Sequence, residues 1–183
     1  MISLRKINVL LIIIIIVMLL YHGALNVLGM FGLISYSPDF STTGRRLFYP
    51  VVGHIIISLY LFFKDRSKHH NIYSKLIKDT TQQIVSGICI IIFAAAHILS
   101  YMYFPPIKPD VSINMLHFII DNLLFVSIGL HLRVSVPRFL ISLGFLEDKN
   151  SYKNAQKKVN LLILVIFIII FTAESVFYIG GIL

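Results

Sequence analysis

Four histidines sit in four successive apolar stretches of this chain: His22, His54, His97 and His131. Neutral imidazole is a common metal ligand and a standard axial ligand of haem iron. A single histidine in an apolar helix ordinarily hydrogen-bonds across a helix interface. One in each of four consecutive segments favours ligation. Cys89 is the sole cysteine, so neither a thiolate cluster nor an intrachain disulfide can form. Carboxylates are few, with Asp121 and Glu174 inside apolar segments and Asp39 between two of them. Inward imidazoles on four helices suit flat macrocycles held between those helices. A hydrolase or transporter with an intramembrane His/Asp/Glu metal site is the competing reading.

The elements that must position these groups follow from composition. Of 183 residues, 57% are hydrophobic and 13% charged, and the mean hydropathy is +0.87. A soluble domain is about 45–50% apolar and about 25% charged. An ordinary water-soluble globule and a disordered chain are both excluded. The net charge of +8 does not point to nucleic acid, because the cations fall between apolar runs. A bilayer core needs about 20 apolar residues of helix. Five stretches qualify: 7–34, 47–63, 82–104, 112–144 and 159–183. The second is short unless 41–46 winds into its outer end. Backbone polar groups in lipid must be satisfied internally, so each stretch is a helix. The expectation is an all-α integral membrane protein: a single transmembrane domain over 1–183 forming a haem-binding helix bundle. The first span reads as a retained signal anchor. No internal repeat is evident.

Lys and Arg placement sets the orientation. With the N-terminus inside, 13 of the 16 cations lie inside, and only Arg45, Arg46 and Lys108 lie outside. The N-terminus is therefore expected in the cytoplasm and the C-terminus outside. His22 follows Lys6 by 16 residues and His97 follows Thr81 by 16. At 1.5 Å per residue, both lie about 24 Å from the inner surface. His54 precedes Lys64 by 10 residues, which places it about 15 Å from the inner side. His131 precedes Gly144 by 13 residues, about 20 Å if the helix runs through Pro137. Two layers result: His54 with His131 deeper, and His22 with His97 nearer the outside. Two bis-histidine haems stacked across the bilayer would suit electron transfer, since both axial positions are filled.

Local motifs accompany the histidines. His22 lies in M-L-L-Y-H-G-A-L-N, His54 in G-H-I-I-I-S-L-Y-L-F-F, and His97 closes Q-Q-I-V-S-G-I-C-I-I-I-F-A-A-A-H. His131 lies in G-L-H-L-R, followed by L-I-S-L-G-F. In order, spacing and helix count the chain resembles the five-helix, dihaem cytochrome b membrane-anchor subunit of succinate dehydrogenases and fumarate reductases. The resemblance covers nearly the whole chain. It implies two b-type haems, with His54 and His131 as the proximal ligands and His22 and His97 as the distal ones. It departs at Gln83, where the family often has Arg, and at Arg133 and Arg138. Those two arginines would pair with haem propionates or snorkel to the inner surface. Tryptophan is absent, which leaves Tyr21, Tyr36, Tyr101 and Tyr103 as interfacial aromatics.

The function the resemblance implies is electron carriage between an iron–sulfur subunit and a membrane quinone, menaquinone or another, in the inner (cytoplasmic) membrane. A flavoprotein subunit would interconvert succinate and fumarate. This chain has no flavin or cluster motif and no catalytic residue for succinate of its own. Candidates for quinone binding and its protons are Asp39, Asp121, Glu174 and His117; Asp121 follows His117 by four residues on one helix face. The 14-residue step from His117 to His131 allows a different pairing, with His54 and His69 facing them. A b-type cytochrome subunit serving another dehydrogenase, such as a hydrogenase, is the neighbouring alternative.

Overall fold

The computed structural model describes residues 3–35, 37–66, 74–104, 110–146 and 148–180. Among these there are five α-helices: α1 (Leu4–Met30), α2 (Pro38–Arg66), α3 (Ser74–Tyr103), α4 (Val111–Ser142) and α5 (Lys149–Glu174). A short π-helical segment, Ser175–Ile179, continues α5. No strand occurs among the described residues. All five α-helices are long and apolar enough to cross a bilayer, so the chain is a multi-pass membrane protein.

Burial has the polarity that lipid demands. Val17, Leu20, Ile56 and Leu161 are each more than half exposed, whereas His117, Asp121 and Glu174 are buried. Apolar side chains lose nothing by facing acyl tails. Polar ones must turn inward to find partners.

Local chemistry sets the helix ends. Ser3, Asp110 and Asp148 cap α1, α4 and α5 by accepting from backbone N–H groups of the first turn. Pro38 opens α2, where its missing N–H is no loss. At the other end of α1, Gly32 at φ +70° donates to Gly29 while Leu33 donates to Leu28. Gly144 at φ +80° and Phe145 repeat that arrangement on Ile141 and Leu140. Both are Schellman closures, which favour glycine at the left-handed position.

The helices begin before the apolar runs, and α1 and α4 end before those runs do, at Met30 and Ser142. Residues 41–46 do wind into α2, which begins at Pro38. α3 starts at Ser74 and α5 at Lys149, eight and ten residues before their apolar stretches. Hydropathy marks where lipid begins, but caps and propensity decide where a helix begins. α4 runs through Pro137 to Ser142 as a single helix.

Two compact units make up the chain, Met1–Ile72 and Tyr73–Leu183. In the first, α1 packs on α2 as an antiparallel hairpin. Phe40 is buried there against Gly29, where a Cβ would lie only 2.8 Å from its ring. In the second, α4 packs against both α3 and α5. Gly129 of α4 lets Ile163 of α5 approach to 3.0 Å from a virtual Cβ.

Candidate functional site

Each of the four candidate histidines is held through Nδ1 by the helix beside it. In the first unit, His22 of α1 lies 3.2 Å from Thr43 Oγ1 of α2. Thr43 gives its own proton to the Phe40 carbonyl at 2.8 Å, so its oxygen is left to accept from His22. Nearer the other end of the same hairpin, His54 of α2 donates from Nδ1 to Asn8 Oδ1 of α1 at 2.9 Å. Ser58 adds its hydroxyl to that amide oxygen at 3.4 Å.

The second unit repeats the pattern. His97 of α3 donates from Nδ1 to Asp121 Oδ1 of α4 at 2.7 Å. His131 of α4 donates from Nδ1 to the Gln83 carbonyl of α3 at 3.1 Å. Asn8 and Gln83 are 75 residues apart, His22 and His97 also 75, and His54 and His131 77. The sequence shows no repeat, yet the same crossed latch occurs in both hairpins. Conserved hydrogen-bonding geometry with different partner types (hydroxyl, amide, carboxylate, backbone carbonyl) hides it from sequence comparison.

At His54, His97 and His131 the partner is an acceptor and fixes the tautomer, whereas at His22 the Asn26 amide nitrogen also lies 3.3 Å from Nδ1. With the proton on Nδ1, the lone pair is on Nε2, the form in which imidazole ligates metal. Nε2 of His97 and of His131 makes no hydrogen bond among the described residues. All four rings are only partly buried, and the side chain of His97 keeps 29% of its exposure. The donor set therefore fits axial ligation of haem iron.

His117 is built the other way round. It is fully buried on α4, and its Nε2 donates to the Phe104 carbonyl at 2.7 Å. Its Nδ1 lies 3.3 Å from Ser100 Oγ. Tyr101 packs on its ring at 4.2 Å, and Tyr178 stacks at 5.9 Å. Its polar atoms are committed to closing the end of α3 against α4. His69 and His70 lie outside the described residues, as does the side chain of Asp39, whose backbone is in the first turn of α2.

Asp121 pairs with His97 rather than with His117, its neighbour on the same helix face. Tyr101 donates to its second oxygen at 2.9 Å, and Tyr178 reaches that oxygen at 3.3 Å. The two tyrosine hydroxyls also touch each other. Tyr178 is placed by the π-helical segment, in which Gly180 N–H reaches back five residues to the Ser175 carbonyl. Such a widened turn rotates the side chains after it, and π segments often mark functional sites. Glu174 accepts from Asn122 at 2.6 Å, and Asn122 Oδ1 is buried without a partner among the described residues. Periodicity could not show Asn8, Thr43 or Tyr178. The one available signal was their polarity within or beside apolar runs.

Arg138 reaches from α4 to α3, donating to Gln83 Oε1 at 2.6 Å and Thr80 Oγ1 at 3.2 Å. Arg133 is exposed. Gly87 lies over His131, where a Cβ would stand 3.6 Å from Cε1. No group of three or more His, Cys, Asp or Glu that could hold a metal ion occurs among the described residues. Comparison with protein-family models, curated proteins and solved structures finds no match to this chain.

Proposed function

We propose that this chain is a dihaem b-type cytochrome and the membrane anchor of a succinate:quinone oxidoreductase or quinol:fumarate reductase. His22, His54, His97 and His131 are the axial ligands, in the pairs that the resemblance implies. The observation that carries this reading is the shared Nδ1 latch on those four rings, set against the opposite arrangement at His117. Axial ligation at Nε2 needs the proton on Nδ1, and a partner on Nδ1 is what holds a ligand ring in place; at His117 it is Nε2 that is committed, to the Phe104 carbonyl.

Haem iron with two imidazole ligands has both axial positions filled and supplies one-electron transfer. The protein's part is to hold those ligands, exclude water and present a quinone with a proton-carrying group. Asp121 is engaged by His97 and two tyrosines, which leaves Glu174 with Asn122 as the better candidate for quinone protons. The unpartnered Oδ1 of Asn122 is an acceptor suited to a quinol hydroxyl.

Partners in this reading are a flavoprotein subunit and an iron–sulfur subunit docked on the cation-rich side. The N-terminus is cytoplasmic, the C-terminus is outside, and the membrane is the cytoplasmic one. Purification of the chain from its native membrane tests all of this. The expected result is reduced b-type bands, two haems per chain, both soluble subunits, and succinate-linked quinone reduction. Two haems with a different set of subunits would retain the cytochrome and reject the succinate assignment.

A further inference from the structure

Three of the four latches are neutral and one is charged. His22 is held by a hydroxyl, His54 by an amide oxygen and His131 by a backbone carbonyl, whereas His97 is held by the carboxyl of Asp121. We infer that Asp121 is a positioning residue that lowers the reduction potential of the haem bound by His97 relative to that of the other haem. The inference rests on the dihaem reading above.

The physical argument is one of charge. A carboxylate accepting from Nδ1–H draws the proton toward itself and makes the imidazole a stronger electron donor at Nε2. A stronger donor favours the oxidised, more positive iron. Second-shell hydrogen bonding of this kind is one of the recognised levers on haem potential. The contact is short, at 2.7 Å, as charge-assisted bonds are. Asp121 is itself buried, so water screens it little. Tyr101 and Tyr178 donate to the oxygen that His97 does not use. They hold the carboxyl in place, and they moderate its pull by sharing its charge. The corresponding position in the first hairpin is Thr43, whose oxygen offers no such charge. One haem would thus have a ligand held by a carboxyl, and the other only ligands held by an amide oxygen and a backbone carbonyl, which makes the two haems unequal.

Redox titration of the intact purified protein, followed by the visible haem bands, tests this. Asp121→Asn keeps a hydrogen-bonding side chain but removes the charge. It should raise one midpoint by at least a tenfold change in the reduction equilibrium, about 59 mV for a one-electron couple. The other midpoint should stay in place. If this variant fails to assemble, Asn8→Asp places a carboxyl on His54 instead, and it should lower the other midpoint. Two haems with both midpoints unmoved in either variant would overturn the inference while leaving the dihaem reading intact. Wild-type protein without haem would overturn that reading itself.

Discussion

Gly44 lies so close to His22 that a Cβ at residue 44 would stand 3.0 Å from Cε1 and 3.5 Å from each ring nitrogen. Thr43, the residue before Gly44 on α2, also holds the ring through Nδ1, so the ring has little room to yield. Gly44→Ala should therefore turn the imidazole and lower haem content from two per chain toward one. Gly23, one residue from His22, has nothing within 4 Å of its virtual Cβ. Gly23→Ala should leave haem content unchanged. A pyridine haemochrome assay on both variants gives the comparison.

His117 should behave as a packing residue. His117→Phe removes the side-chain donor to the part-buried Phe104 carbonyl, at a cost of about 0.5–1.5 kcal/mol. Denaturation in detergent should show that loss of stability while both haems remain. His97→Ala should instead lose one haem. A His117 variant that loses a haem would restore the alternative in which His117 and His131 are faced by His54 and His69.

The Arg138 side chain should act mainly through Gln83. Its bond to Gln83 Oε1 is charge-assisted, and such bonds contribute about 1.5–3 kcal/mol. Arg138→Met and Gln83→Met should each destabilise the second unit, and the double variant should cost less than the two combined. A double-mutant cycle by thermal denaturation measures the coupling. Strict additivity would mean that the arginine serves another group.

Asp148 gives the start of α5 a pH dependence. The backbone N–H of Ser151 donates to its carboxyl at 2.6 Å, which holds it below the usual carboxylate range. A lowered folded-state value means that the cap is fully effective above about pH 4 and weakens as pH falls through that lowered value. Protection of the amides at 149–153 from hydrogen exchange, taken relative to their intrinsic rates, should fall under acid in the wild type. In Asp148→Ala that protection should already be low at neutral pH and change little with acid.

The apolar runs made the five crossing helices legible, and the same runs made His22, His54, His97 and His131 conspicuous. The missing parts obey other rules. α5 begins at Lys149 because Asp148 caps it, ten residues before its apolar stretch. The π-helical segment that carries Tyr178 has no hydropathy signature. Asp121 and His117 share a helix face by spacing, but side-chain reach across to α3 gives Asp121 to His97. The duplicated latch was invisible because its partners differ in type, and one of them, the Gln83 carbonyl, belongs to the backbone that every residue has.

Haem stoichiometry of the intact chain, purified from its own membrane and assayed by pyridine haemochrome alongside polypeptide quantification, bears most directly on the central claim. The account predicts two b-type haems per chain with reduced-minus-oxidised bands in the visible. A colourless preparation of folded chain would contradict it.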